Sequence, residues 1–203
     1  MLDATHNDAQ FLARVLFSDE ACLTREGVFN THNAHMWSSE NPHITVSSNV
    51  QHKFSINIWV GILGDNLLRP YVLLERLNDV KYLVSLQHVL LDFLHGIPTT
   101  VRQNLWFMHD GVSAHVSIVV RTHLDATYPW RWIRRGGPVA WPPRSPDLNT
   151  LDFFFWGHMK YLSDACGYSG GARIVVAAGD ITSTPGLFER VRRFFKRRCR
   201  LCT

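Results

Sequence analysis

An α/β architecture with a mixed central sheet flanked by helices is what the sequence predicts, on three observations. Alternating, β-branched runs come early in the chain. Helix-periodic segments and short apolar runs then take turns along the rest. Glycine and proline fall mostly between these segments rather than within them, so each run can be read as one element of a layered fold.

Val15-Leu16-Phe17 reads as a short buried strand that ends in Ser18-Asp19-Glu20. His32 to His43 is polar and rich in Asn and His, as a loop or edge segment is. Phe54 to Leu63 alternates as a strand, Gly64-Asp65-Asn66 turns it, and Leu67 to Leu74 forms the partner strand. From Asp79 to Leu94, Val80, Leu83, Val84, Leu86, Leu90, Leu91 and Leu94 recur at helical spacing, and Gly96 and Pro98 close the helix.

Leu105 to Met108 is an apolar run that stops on His109-Asp110-Gly111, a strand with an acid at its tip. Ser113 then caps a helix through about Ala126, with Val116, Val119, Val120 and Leu124 as its inner face. Trp130 to Ile133 is one more short strand, and residues 134–146 are irregular by composition. Within them Trp141-Pro142-Pro143-Arg144 reads as a stiff connector that leaves Arg144 able to reach phosphate.

Ser145-Pro146-Asp147 is a helix start, with Ser as N-cap, Pro at the first helical position and Asp in the first turn. Leu148, Leu151, Phe155, Met159 and Leu162 form its apolar stripe. Cys166 to Gly179 is a compositional break to which no element is assigned. Leu187 to Leu201 is a basic helix with Phe188, Val191, Phe195 and Cys199 along its inner side. One domain accounts for the chain: residues 1–163 carry the α/β layers, and 164–203 are a degenerate connection and the basic helix of the same domain.

Composition narrows the function. The 203 residues are 46% hydrophobic, as in a folded protein, with no apolar stretch long enough to span a membrane and no signal peptide at Met1 to Gln10, which points to an intracellular protein without a membrane partner. Four scattered cysteines are no disulfide framework, and the Cys199/Cys202 pair lacks the second pair a structural zinc site needs. The net charge is only +4, but seven basic residues and no acid lie between Arg190 and Arg200, including Arg193 and Arg197. Arg131, Arg134, Arg135 and Arg144 form a second, looser group. Such clustering favours a polyanion, since each neutralised phosphate releases counterions.

Three acids carry the candidate chemistry. Asp19 follows the first strand, Asp110 ends a central one, and Asp152 lies in the second turn of the helix begun at Ser145. If the two strands are neighbours, the carboxylates emerge side by side, and the helix can bring the third opposite. Clustered carboxylates repel unless a cation sits among them, and hard oxygen donors favour Mg²⁺ or Mn²⁺. Two such ions suit phosphodiester cleavage. Asp147 competes with Asp152 for the third position, but the two stand about 140° apart around a helix. A first-turn acid is already explained by capping and the helix dipole, whereas Asp152 interrupts an apolar face. Acids at strand tips also suit other phosphoryl-transfer enzymes, such as a metal-dependent phosphatase.

The stretches "LFSDEA" (16–21), "NPH" (41–43), "FSINIWVGI" (54–62), "WFMHDGVSAH" (106–115), "RWIRRGGPVAWPPRSPDLNTLDFFFWG" (131–157) and "TPGLFERVRR" (184–193) occur in an order that resembles mariner-type transposases of the DDE/D superfamily. That resemblance implies an RNase H-like catalytic domain in which Asp19, Asp110 and Asp152 are the catalytic acids and hold two Mg²⁺ or Mn²⁺ ions. It further implies cleavage and strand transfer of DNA and His115 near the site as a phosphate or water contact. A nuclear location is expected, and a homodimer is left open as one assembly. The family's paired helix-turn-helix modules have no counterpart in the residues ahead of Val15, and Ser113 replaces a usual proline. Those departures raise the alternative of an inactive remnant that only binds nucleic acid.

Overall fold

The computed structural model describes residues 8, 10–24, 27–29, 55–73, 77–109, 115–134, 137–141, 148–159, 161 and 171–201. Its strands are β1 (Val15–Thr24), β2 (Gly27–Phe29), β3 (Ser55–Leu63), β4 (Asn66–Leu73), β5 (Trp106–Met108), β6 (Trp132–Arg134) and β7 (Val139–Ala140). They form one mixed sheet in the order β4-β3-β1-β5-β6-β7, with β2 paired to the far end of β1. The antiparallel part is β3 with β1 and β4, and the parallel part is β1 with β5, β6 and β7.

The first strand is longer than its apolar run suggests. Ser18, Asp19 and Glu20 have low strand propensity, yet β1 continues through them because β3 pairs with it from Leu16↔Leu63 to Thr24↔Ser55. Asp19 therefore stands within the strand, opposite Val60, and not beyond its end. The β3–β4 hairpin turns at Gly64, whose φ of +61° suits glycine and where an added Cβ would come within 2.9 Å of the Ala13 carbonyl oxygen.

Helix α1 covers residues 79–95 and has a π turn at Ser85–Val89. The Asn78 side chain caps it by accepting from the Lys81 N–H. Its buried residues, Tyr82, Leu86, Leu90 and Leu94, recur every fourth position. In a regular helix that spacing drifts by about 40° per step, and the wider π turn reduces the drift. The short helix α2 (Thr99–Gln103) leads into β5, and α3 (Ile118–Thr127) leads from it toward β6.

Here two sequence expectations are corrected. Helix α3 begins at Ile118, with Ser117 at the N-cap position, while Ser113 lies outside the described residues. Only Val120 and Leu124 face inward, and Val116 and Val119 are exposed, because α3 rests on α1 through one narrow side.

Helix α4 covers residues 150–159 and contains a π turn at Leu151–Phe155. Its predicted stripe is buried at Leu151, Phe155 and Met159, and Leu148 just before it is buried too. Leu162 and the proposed Ser145 cap lie outside the described residues. The unassigned stretch ends in a helix, α5 (Gly171–Ser183), which buries Ile181 and packs near β4. Helix α6 (Leu187–Leu201) buries Phe188, Val191, Phe195 and Cys199, the four residues expected on its inner side.

The period-2 alternation of the strands sorts the core into two layers. Leu16, Trp59, Leu63 and Phe107 pack with Tyr82, Leu86, Val120 and Leu124 from α1 and α3. On the other face Ala21, Ile58, Val60 and Ile62 meet Leu151, Phe155, Trp156 and Met159 of α4. Beside them Val15, Phe17, Met108 and Ile133 meet Phe195 and Cys199 of α6. Among the described residues no helix is long and apolar enough to cross a membrane.

Candidate active site

Adjacent residues of β1 send their acids to opposite faces of the sheet. Asp19 lies on the α4/α6 side, with 7% of its surface exposed. A carboxylate so buried needs partners, and one is the Trp156 indole, whose Nε1–H donates to Asp19 Oδ2 at 2.7 Å. Trp156 also ends the π turn: its backbone N–H returns to the Leu151 carbonyl. Asp152 is half-buried in the first turn of that segment, four residues before Trp156, on the side of α4 that neighbours it. One helix thus carries both Asp152 and the group that grips Asp19.

Strands β1 and β5 are parallel neighbours, as convergence of the acids requires. Phe17 pairs with Met108, and the Ser18 hydroxyl donates to the Met108 carbonyl at 3.1 Å. The chain therefore leaves β5 beside Asp19. Asp110 itself lies outside the described residues, as do Asp147, Arg135 and Arg144.

The other acid, Glu20, belongs to a buried polar cluster on the α1/α3 side. Its Oε2 stands 3.4 Å from His115 Nε2, His115 stacks on Tyr82 with centroids 4.0 Å apart, and the Tyr82 hydroxyl is 3.1 Å from His109 Nδ1. Arg134 closes the group by donating to the His115 carbonyl at 2.8 Å. His109 is completely buried. Burial first, and then the nearby His115 and Arg134, hold its pKa well below 6.5, so the imidazole is neutral.

This neutral histidine makes stability pH-dependent. The unfolded chain takes up a proton near pH 6.5 and the folded chain does so only at lower pH. The contribution is therefore complete above 6.5 and is lost as pH falls toward the folded pKa. Urea midpoints measured between about pH 8 and about pH 5 are expected to decline at the acid end, and to decline less in His109→Asn.

Two residues expected to contact DNA are buried. His115 is 2% exposed and Arg134 is 4% exposed, both facing the layer opposite Asp19, where their polar atoms serve the internal cluster. Arg134 also lies over the Trp132 ring, its Cζ 5.5 Å from the centroid. Arg131 is half-buried and donates to the Gln103 carbonyl. On α6 the expectation and the placement agree in exposure: Arg193 and Arg197 are exposed, Arg193 pairing with Glu189 at 3.2 Å. Other cations of α6 serve the fold, Arg192 through Asp65 at 2.7 Å and Arg198 over the Phe153 ring at 4.5 Å.

Sequence reasoning passed over Trp156, Glu20 and Tyr82. The signal for Trp156 was available, because a buried indole must place its N–H and this one follows Asp152 by one helical turn.

The donor chemistry fits a hard divalent cation. Asp19 and Asp152 offer oxygen only, and the Trp156 indole orients Asp19 without supplying a competing positive charge. Among the described residues no group of three or more His, Cys, Asp and Glu side chains is assembled, and Asp110 is not one of them.

No protein-family model matches the chain, and no curated protein matches it. Solved structures do. The crystal structure of the catalytic domain of Mos1 mariner transposase is similar with a TM-score of 0.68 and 17% identity, over 99% of this chain and 85% of that one. The Mos1 catalytic domain with raltegravir and Mn gives 0.65 and 16%, over 97% and 84%. The Mos1 strand transfer complex gives 0.60 and 16%, over 99% of this chain and 56% of that one. The fold is thus RNase H-like, a mixed sheet flanked by helices as in the Mos1 catalytic domain.

Proposed function

We propose that the chain is the catalytic domain of a mariner-type transposase, which cleaves DNA strands and transfers them with the help of divalent metal. The observation that carries this reading is the hydrogen bond from Trp156 to Asp19, because it brings together two motifs 137 residues apart. The parallel pairing of β1 and β5 supports it, as do the Mos1 neighbours solved with Mn and with Mg. Met108, the last residue of β5, lies on the Asp19 face of the sheet.

In this reading Asp19, Asp110 and Asp152 would hold a pair of Mg²⁺ or Mn²⁺ ions. Such ions activate an attacking oxygen and offset charge on the phosphate and the leaving oxygen. The protein's own part is positional. β1 gives Asp19 a rigid base beside the end of β5, α4 carries Asp152, and the packed indole limits rotation of Asp19. Arg193 and Arg197, exposed on a helix that packs against the Asp19 face, would meet the DNA backbone, where arginine forks match phosphate oxygens. Neighbours solved as strand transfer and paired-end complexes support DNA as the partner. A homodimer and a nuclear location belong to the same proposal.

The test is conversion of supercoiled plasmid to open circles. Wild-type chain is expected to nick with Mg²⁺ or Mn²⁺ and to stop when the metal is chelated, and Asp110→Asn is expected to be inactive. Equal activity in wild type and Asp110→Asn would remove that acid from the mechanism.

A further inference from the structure

We infer that Trp156 is a positioning residue for metal binding, holding Asp19 in the orientation that a divalent cation needs and locking the distance between Asp19 and Asp152. This rests on the proposed metal site and concerns a residue outside its ligand set.

The indole is a donor with no acceptor capacity and no charge. An arginine or lysine at this place would also satisfy Asp19, but would compensate its charge and compete with a cation. A neutral N–H fixes one oxygen and leaves the carboxylate its negative charge. Groups that orient ligands in this way typically change metal affinity by about 10- to 100-fold when removed.

Position makes the bond more than a local contact. Trp156 is 4% exposed and packs edge-on against Phe155 with centroids 4.9 Å apart, so the indole has little freedom to turn. Its backbone N–H closes the π turn that contains Asp152, and its side chain reaches Asp19 in the sheet. A π turn inserts an extra residue and shifts the register of what precedes it. The same residue therefore sets the local geometry of one acid and the rotamer of the other.

The experiment is Mn²⁺ binding to the full chain, followed by the loss of the free-ion EPR signal. Trp156→Phe keeps an aromatic ring and loses the N–H, and is expected to weaken binding by about 10- to 100-fold. Trp156→Gln places an amide nitrogen at the same number of bonds from the backbone, and is expected to recover at least part of that loss. In the Asp19→Asn background, Trp156→Phe should add no further loss. Wild-type affinity in Trp156→Phe overturns the inference, and wild-type affinity in Asp19→Asn overturns the metal site itself.

Should Trp156→Phe fail to fold, the wild-type indole N–H resonance decides, once assigned through its proximity to the Phe155 ring. It is expected to move on titration with Mg²⁺, and a resonance that stays in place overturns the inference.

Discussion

Asp19→Asn is expected to reduce metal-supported nicking by about a thousandfold or more, since the charge stabilisation a divalent ion gives to phosphoryl transfer amounts to several kcal/mol. The substitution is nearly isosteric, and the asparagine carbonyl can still accept the Trp156 N–H, so the packing of α4 on β1 is kept. Thermal unfolding should therefore stay close to wild type while nicking is lost. Activity retained within tenfold, with the fold intact, would mean that this carboxylate holds no essential cation. Because Asp19 lies mid-strand, paired with Val60 of β3, its backbone has no slack with which another acid, such as Glu20, could take its place. Glu20 faces the opposite layer and is engaged by His115.

The largest loss of stability is expected from Phe195→Ala, at about 3 to 5 kcal/mol. Phe195 is almost fully buried and meets Phe17 edge-on, with ring centroids 5.3 Å apart, in a cluster that also contains Val15, Met108 and Ile133. Truncation would leave a cavity against the central strands, which are too well paired to collapse into it. Phe194→Ala is the control: its ring is 56% exposed, and its removal should change the urea midpoint little. Equal effects at the two positions would show that α6 does not dock through the face described.

Most of the fold was legible because its strongest signals are local. Phe54 to Leu63 alternates cleanly, and α6 declares its inner side through Phe188, Val191, Phe195 and Cys199. What misled were places where tertiary pairing outweighs propensity. Ser18-Asp19-Glu20 looks like the end of a strand, but the long register with β3 carries the strand through it. The run around Gly171 looks broken by composition, yet α5 forms and buries Ile181 against the sheet layer.

The candidate site divides in the same way. Asp19 and Asp152 could be chosen by position and helix geometry, and the structure brings their elements together through Trp156. His115 and Arg134 are polar residues in polar-looking segments, and only three-dimensional packing reveals that they turn inward. Nothing in a linear reading tells a solvent-seeking arginine from one that donates to a buried carbonyl.

The contact between Phe17 and Phe195 also bears on how the molecule is made. At translation rates of about 5 to 20 residues per second, roughly 9 to 36 s separate synthesis of the two rings. Through that interval the face of the nascent sheet that α6 will cover stays open to water and to other chains. Chaperone demand, and aggregation when synthesis outruns it, should therefore fall on this half of the molecule.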